Sequence, residues 1–193
     1  GKGDVAGKSL AELKTLDAGS WFAPRFAGER IPTLAEVLEV ARGRILVNIE
    51  LKKGKEAFPY TMAELAEKSL AVVEKAGMTG QVLFSSFDPA AIDRIRELDA
   101  RIPIGLITQM PWTTPEEAGN GKAYPTINSL FKNLNAENVR RAHEARIQVH
   151  AWTANTQEEM EKVLALGVDG IITNHPDRLI DLFIQLCLQN NGR

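Results

Sequence analysis

Two side chains of opposite charge stand two residues apart in Asn48-Ile49-Glu50-Leu51-Lys52. In an extended strand that spacing puts both on one face, so Glu50 could hold a divalent cation and Lys52 a phosphate oxygen. The same spacing also serves an ordinary ion pair at a strand end. In Ser86-Phe87-Asp88-Pro89 the Asp-Pro step reads first as a helix N-cap with proline at the first helical position, ahead of any role in metal binding. Trp152 and Thr153 close the run Gln148-Val149-His150-Ala151-Trp152-Thr153, where the indole either walls a ligand pocket or fills core. Of the three histidines, His143 lies beside Arg140 and Arg141 on a solvated helix face. His150 alternates with Gln148 and Trp152 and reads as a hydrogen-bonded core residue, whereas His175 follows the last strand, in Thr173-Asn174-His175-Pro176-Asp177. None pairs with a serine or cysteine in a nucleophile motif, and neither a glycine-rich phosphate loop nor a zinc-binding HExxH helix occurs.

The elements that must position these residues alternate. Arg44 to Leu51, Gln81 to Ser85, Ile102 to Thr108, Ala123 to Leu130, Gln148 to Thr153 and Gly170 to Thr173 read as strands. Amphipathic segments fall between and after them: Met62 to Ala76, Pro89 to Leu98, Ala136 to Ala145, Thr156 to Leu166 and Pro176 to Leu188. Gln109 to Lys122, with Pro111, Pro115 and Gly119, reads as a loop. Upstream, Ser9 with Glu12 and Thr33 with Glu36 are capping-box spacings for two further helices, separated by the aromatic-rich loop Gly19 to Phe26. Strands alternating with helices predict an α/β fold with a parallel sheet, because parallel neighbours need a crossover rather than a hairpin. From Asp88 onward the strand ends recur every 20 to 23 residues, a short even repeat that suits a (β/α)8 barrel better than an open sheet. Only six strands are found, and a closed barrel needs eight. In such a barrel the active site gathers at the C-terminal strand ends, where Glu50, Lys52, Asp88, Trp152 and His175 fall.

Composition narrows the functional classes. The 193 residues carry 23 Lys and Arg against 25 Asp and Glu, a net charge of -2 with no basic cluster, which argues against a nucleic-acid partner. The single Cys187 excludes an internal disulfide, so a cytoplasmic chain is the default expectation. There is no apolar run long enough to span a bilayer and no signal-peptide pattern at the start.

Five stretches together resemble the glycerophosphodiester phosphodiesterase family: Asp17-Ala18-Gly19-Ser20-Trp21-Phe22, Gly28 to Leu34, Asn48 to Lys52, Val149 to Asn155, and Gly167 to Pro176. The resemblance covers essentially the whole chain. It implies a TIM barrel that hydrolyses a glycerophosphodiester to an alcohol and glycerol 3-phosphate with a divalent metal, Ca²⁺ or Mg²⁺. Glu50 then matches the third metal carboxylate and Lys52 the phosphate-side lysine, while Phe87 and Trp152 fall at substrate-lining positions. It further implies a TIM (β/α)8-type barrel lacking its first two strands, with residues 1–33 as the remnant of an insertion between the second and third barrel strands and 34–193 as the partial barrel. The family's His-Arg-Gly, Glu-x-Asp and His-Asp motifs would lie upstream of Gly1, and His143, His150 and His175 match none of them. The expectation is therefore a phosphoric diester hydrolase without the family's catalytic histidine pair, weakly active or inactive as this chain, binding metal weakly or not at all. Exposed barrel edges suggest a homodimer. The alternatives are a non-catalytic self-associating partial barrel and an ester hydrolase repurposing Ser86 or His175.

Overall fold

The computed structural model describes residues 3–54 and 60–191, and these divide into two compact units, Gly1–Ile102 and Pro103–Arg193. The first unit opens with helix α1 (Leu10–Thr15) and helix α2 (Leu34–Ala41), both started by the capping boxes read from sequence. In each, the Ser9 or Thr33 hydroxyl accepts the amide of the glutamate three residues on, and that glutamate accepts the cap amide in return. An ion pair from Lys14 to Glu36 joins the two helices. Together with the Thr33 donors, Lys14 holds the Glu36 carboxyl well below the usual range, at about 2. Beside it a groove of 590 Å³ is lined by Arg30, Pro32, Val37, Val40 and Ile45.

Strand β1 (Val47–Glu50) pairs in parallel with β2 (Val82–Ser86), with Asn48 opposite Leu83 and Glu50 opposite Ser85. The crossover between them is helix α3 (Met62–Lys75), and α4 (Pro89–Leu98) follows β2. Val82 and Phe84 on one face of β2 are buried, as are Ala66, Leu70 and Val73 of α3 and Ala91, Ile92 and Ile95 of α4, with α4 packed on β2 and α3 on α4. The Asp88 side chain accepts the Ala90 amide, so its role is the helix cap expected of Asp-Pro. The first strand is shorter than its apolar run suggests. Ile45 and Leu46 are 64% and 79% exposed and stand outside the sheet, so hydrophobicity overstates its length.

In the second unit β3 (Ile104–Thr108), β4 (Thr126–Leu130), β5 (Gln148–Trp152) and β6 (Gly170–Ile172) pair in parallel in chain order. Helices α6 (Ala136–Glu144), α7 (Gln157–Ala165) and α8 (Pro176–Asn191) follow β4, β5 and β6. Ile127, Val149 and Ala151 on one sheet face pack against Val139, Ala142, Met160 and Val163 from the helices. The stretch expected as a loop holds a short helix α5 (Pro115–Ala118), capped by Thr114 with Glu117. It also sends Trp112 into the core, where the indole N–H donates to Ser129 and Asn138 donates to the Trp112 carbonyl. The six parallel strands, each followed by a helix, are the expected (β/α) units.

The apolar faces carry the stability. Phe84 is fully buried, so Phe84→Ala is expected to cost about 3–5 kcal/mol in urea unfolding through lost transfer energy and the cavity left behind.

Candidate functional site

The end of β1 is fastened to β2 by two main-chain anchors. The Leu51 amide donates to the Ser85 carbonyl at 2.7 Å, and the Ser86 hydroxyl donates to the Leu51 carbonyl at 2.7 Å. Leu51 is buried. Strand alternation then turns Asn48, Glu50 and Lys52 to the opposite face, where the Ser85 hydroxyl donates to Asn48 Oδ1 at 2.8 Å. On this face Lys52 Nζ lies 3.8 Å from Glu50 Oε1 with both side chains largely open to solvent. An exposed pair of this kind contributes about 0–1 kcal/mol, so stability does not account for it. Phe87 follows directly after the last residue of β2 and is 43% exposed. Glu50 and Lys52 thus meet at the C-terminal end of β1, and Phe87 follows the C-terminal end of the neighbouring strand β2.

Ser86 has a different role from a nucleophile. Its side chain is 1% accessible, and its hydroxyl is engaged twice with main chain, donating to Leu51 and accepting the Asp88 amide at 3.0 Å. This corrects its reading as part of a repurposed ester-hydrolase site.

In the second unit the corresponding strand ends carry Trp152. The indole is partly buried, its N–H donates to the Asn128 carbonyl at 2.9 Å, and it lies in register with Leu130 and Ile172. One step below is a polar tier that sequence reading missed. Asn128 stands in register with His150, and His150 with Gly170. Asn128 Oδ1 accepts from His150 Nδ1 at 3.0 Å. Burial pushes the His150 pKa down, against a smaller upward pull from the Asp169 charge. The ring is therefore neutral near pH 7, with its proton on Nδ1 and Nε2 left as an acceptor. Asn128 is fully buried, and its Nδ2 has no hydrogen-bond partner among the described residues. Two glycines make the room: a Cβ at Gly105 would lie 2.7 Å from Asn128 Nδ2, and one at Gly170 would lie 2.7 Å from His150 Cδ2. The glycine at the start of β6, directly opposite a strand histidine, is the one signal in the sequence that could have pointed to this tier.

The other two histidines stand elsewhere. His143, expected to be solvated, is 40% exposed but has its Nε2 3.0 Å from Asp169 Oδ2, which also accepts the Val149 amide at 2.7 Å. Partial burial pushes the Asp169 carboxyl up, but the Val149 and His143 hydrogen bonds outweigh it and leave the pKa lowered. His143 and Asp169 precede β5 and β6, at the strand starts and thus opposite to the functional end. His175 is partly buried at that functional end, its amide bonded to Thr173 Oγ1 at 3.0 Å. Asn155 ties the neighbouring strand ends by accepting from Thr173 Oγ1 and the Asn174 amide.

Among the described residues, no three His, Cys, Asp or Glu side chains gather closely enough to hold a metal ion. Glu50 is a single carboxylate with an ammonium beside it. A hard cation such as Ca²⁺ takes six to eight oxygens, so the described residues do not make a complete metal centre. Among them, no helix is long and apolar enough to cross a membrane.

Parallel β/α units with polar side chains at their C-terminal strand ends define the class of scaffold, and comparison with known proteins narrows it. A crystallised phosphodiesterase of Oleispira antarctica, solved with the product sn-glycerol-3-phosphate, superposes with a TM-score of 0.83 at 26% identity, over 95% of this chain and 73% of that one. The glycerophosphodiester phosphodiesterase of Caldanaerobacter subterraneus is 33% identical over 94% of this chain and 74% of its own length. One from Bacillus subtilis is 32% identical over 92% and 65%. The model of the glycerophosphoryl diester phosphodiesterase family matches residues 1–178. The chain belongs to this family of phosphodiester hydrolases, and its six parallel strands among the described residues match the TIM-type α/β fold of the family's solved structures.

Two outcomes test the geometry. Ser86→Ala removes a buried hydroxyl that fastens two strands, so it is expected to lower stability by about 1–3 kcal/mol, read by urea denaturation. For His150, the folded pKa lies below the ordinary 6.5, so the unfolded chain binds the proton more readily. Its contribution to stability is therefore complete above about pH 6.5 and falls as the pH drops below that value. Unfolding midpoints measured from pH 7.5 to 5 should decline less steeply for His150→Gln than for the parent.

Proposed function

We propose that the chain takes part in hydrolysis of a glycerophosphodiester to an alcohol and glycerol 3-phosphate, in lipid metabolism, and that its own residues serve binding rather than proton transfer. The observation that carries this reading is the Glu50–Lys52 pair at the end of β1, in a chain whose relative was crystallised with sn-glycerol-3-phosphate. Lys52 supplies a charge for a phosphate oxygen. Phe87 supplies apolar surface in the first unit; in the second unit Trp152 is taken as substrate-lining from the family resemblance, its ring held by its bond to the Asn128 carbonyl. Glu50 is one carboxylate for a divalent cation, Ca²⁺ or Mg²⁺, whose part is to neutralise charge on the phosphoryl oxygens. Residues 1–33 are read as the insertion between barrel strands, and the lone free Cys187 fits a cytoplasmic setting.

Proton transfer needs a group of suitable pKa within hydrogen-bond reach of the reacting atoms. His143 is engaged with Asp169 at the opposite strand ends, and His150 is hydrogen-bonded within the sheet face. Hydrolysis of glycerophosphocholine by the 193-residue chain is therefore expected to stay near background with Ca²⁺ or Mg²⁺ and with EDTA alike. Robust metal-dependent turnover would overturn the binding-only role. Glycerol 3-phosphate should still bind, with Lys52→Ala weakening it by about tenfold for loss of a charge-assisted contact; calorimetric titration in which parent and variant match would remove Lys52 from the site.

A second reading, self-association, is favoured by apolar side chains along α8: Ile180, Phe183, Ile184 and Leu188 are 46% to 68% exposed. In addition β1 pairs with β2 alone, and β6 with β5 alone, among the described residues. A homodimer mass by light scattering is the expected outcome, and a monomer at micromolar concentration overturns it.

A further inference from the structure

The loop between α1 and α2 places large aromatic rings in water. Trp21 is 82% exposed and Phe22 68%. Their rings meet edge to face at 5.8 Å, Phe22 lies 5.6 Å from Phe26, and the Arg25 guanidinium sits 4.9 Å over the Phe26 ring. The four side chains form one contiguous patch.

This patch is rigidly presented. The Asp17 carboxylate accepts from the Gly19, Ser20 and Gly28 amides and from the Ser20 hydroxyl, and these donors hold its pKa far below the ordinary value. Ala18 donates to the Glu29 carbonyl at 2.8 Å, which closes the loop at its base. Gly19 is packed so tightly beneath Phe26 that a Cβ there would fall 2.0 Å from the Phe26 carbonyl oxygen. A loop already ordered loses little further entropy when its tip is buried.

We propose that Trp21, Phe22 and Arg25 form a docking surface for an anionic lipid bilayer. Two features select this occupant. The indole N–H already donates to the Ala18 carbonyl at 2.8 Å, so the Trp21 ring can leave water without stranding a donor. From Ala18 to Gly28 the only charged side chain is Arg25, so the patch pairs apolar rings with one cation and no anion, matching a boundary of acyl chains and anionic headgroups. The surface stands independently of the phosphodiesterase reading.

The test adds the 193-residue chain to phosphatidylcholine vesicles with and without phosphatidylglycerol, and reads co-sedimentation and tryptophan emission. Binding and a blue shift are expected, stronger with phosphatidylglycerol. The double variant W21A/F22A should lower the partition coefficient on the order of tenfold, the loss expected when aromatic surface no longer leaves water. R25E should abolish the preference for phosphatidylglycerol and leave binding to phosphatidylcholine alone. Should the double variant unfold, quenching of the parent by lipids brominated on the acyl chain replaces it, because Trp21 is the most exposed indole while Trp112 is 5% exposed. Equal partition of parent and variant overturns the proposal, as does absence of quenching. It is also overturned by a blue shift that grows with protein concentration without lipid, which marks a second copy as the occupant. A shift given only by a short-chain amphiphile below its micelle concentration, marking a single bound molecule, overturns it too.

Discussion

A parallel strand cannot be followed by a tight turn to its neighbour, because the chain must return to the sheet's other end before the next strand begins. That constraint organises both units. Each crossover helix carries the chain back, so all strand C-termini within a unit fall at one end, and Glu50 and Ser85 stand in register although 34 residues of chain separate them. The same constraint makes capping decisive. Among the described residues, six of the eight α-helices start with a capping box built from Ser, Thr or Asn and a partner three residues on. Each is worth about 0.5–2 kcal/mol, enough in sum to set where the chain turns.

Signals that live within one element were legible from the residues alone. The Ser9 and Thr33 boxes, the Asp88 cap and the helix Pro89–Leu98 needed only local spacing, and the structure repeats them with little change. The placement of Glu50 and Lys52 on one face was likewise legible, because a period of two belongs to the strand itself. What depends on pairing was not. The Asn128–His150 contact requires the register of β4 on β5, which no single-strand pattern encodes, and the His143–Asp169 contact joins segments 26 residues apart. Hydrophobicity misled where apolar residues are exposed: Ile45 and Leu46 extended the first strand on paper, and Trp112 sat inside a stretch that polarity marked as loop.

The two faces of the second unit's sheet divide labour. Ile127, Val149 and Ala151 turn to the helices and carry apolar burial, whereas the register partners Asn128 and His150 turn the other way with a polar tier between two glycines. A sheet face filled for stability alone would use branched aliphatics. Leaving a buried amide nitrogen without a partner costs about 1–3 kcal/mol, an expense the apolar face offsets many times over. The consequence is a separation of roles: substitutions on the helix-facing side are expressed as stability, while the tier beneath Trp152 fixes the ring's hydrogen-bonded surroundings and the tautomer of His150. Apolar burial and strand-end polarity are thus carried by opposite faces of the same strands.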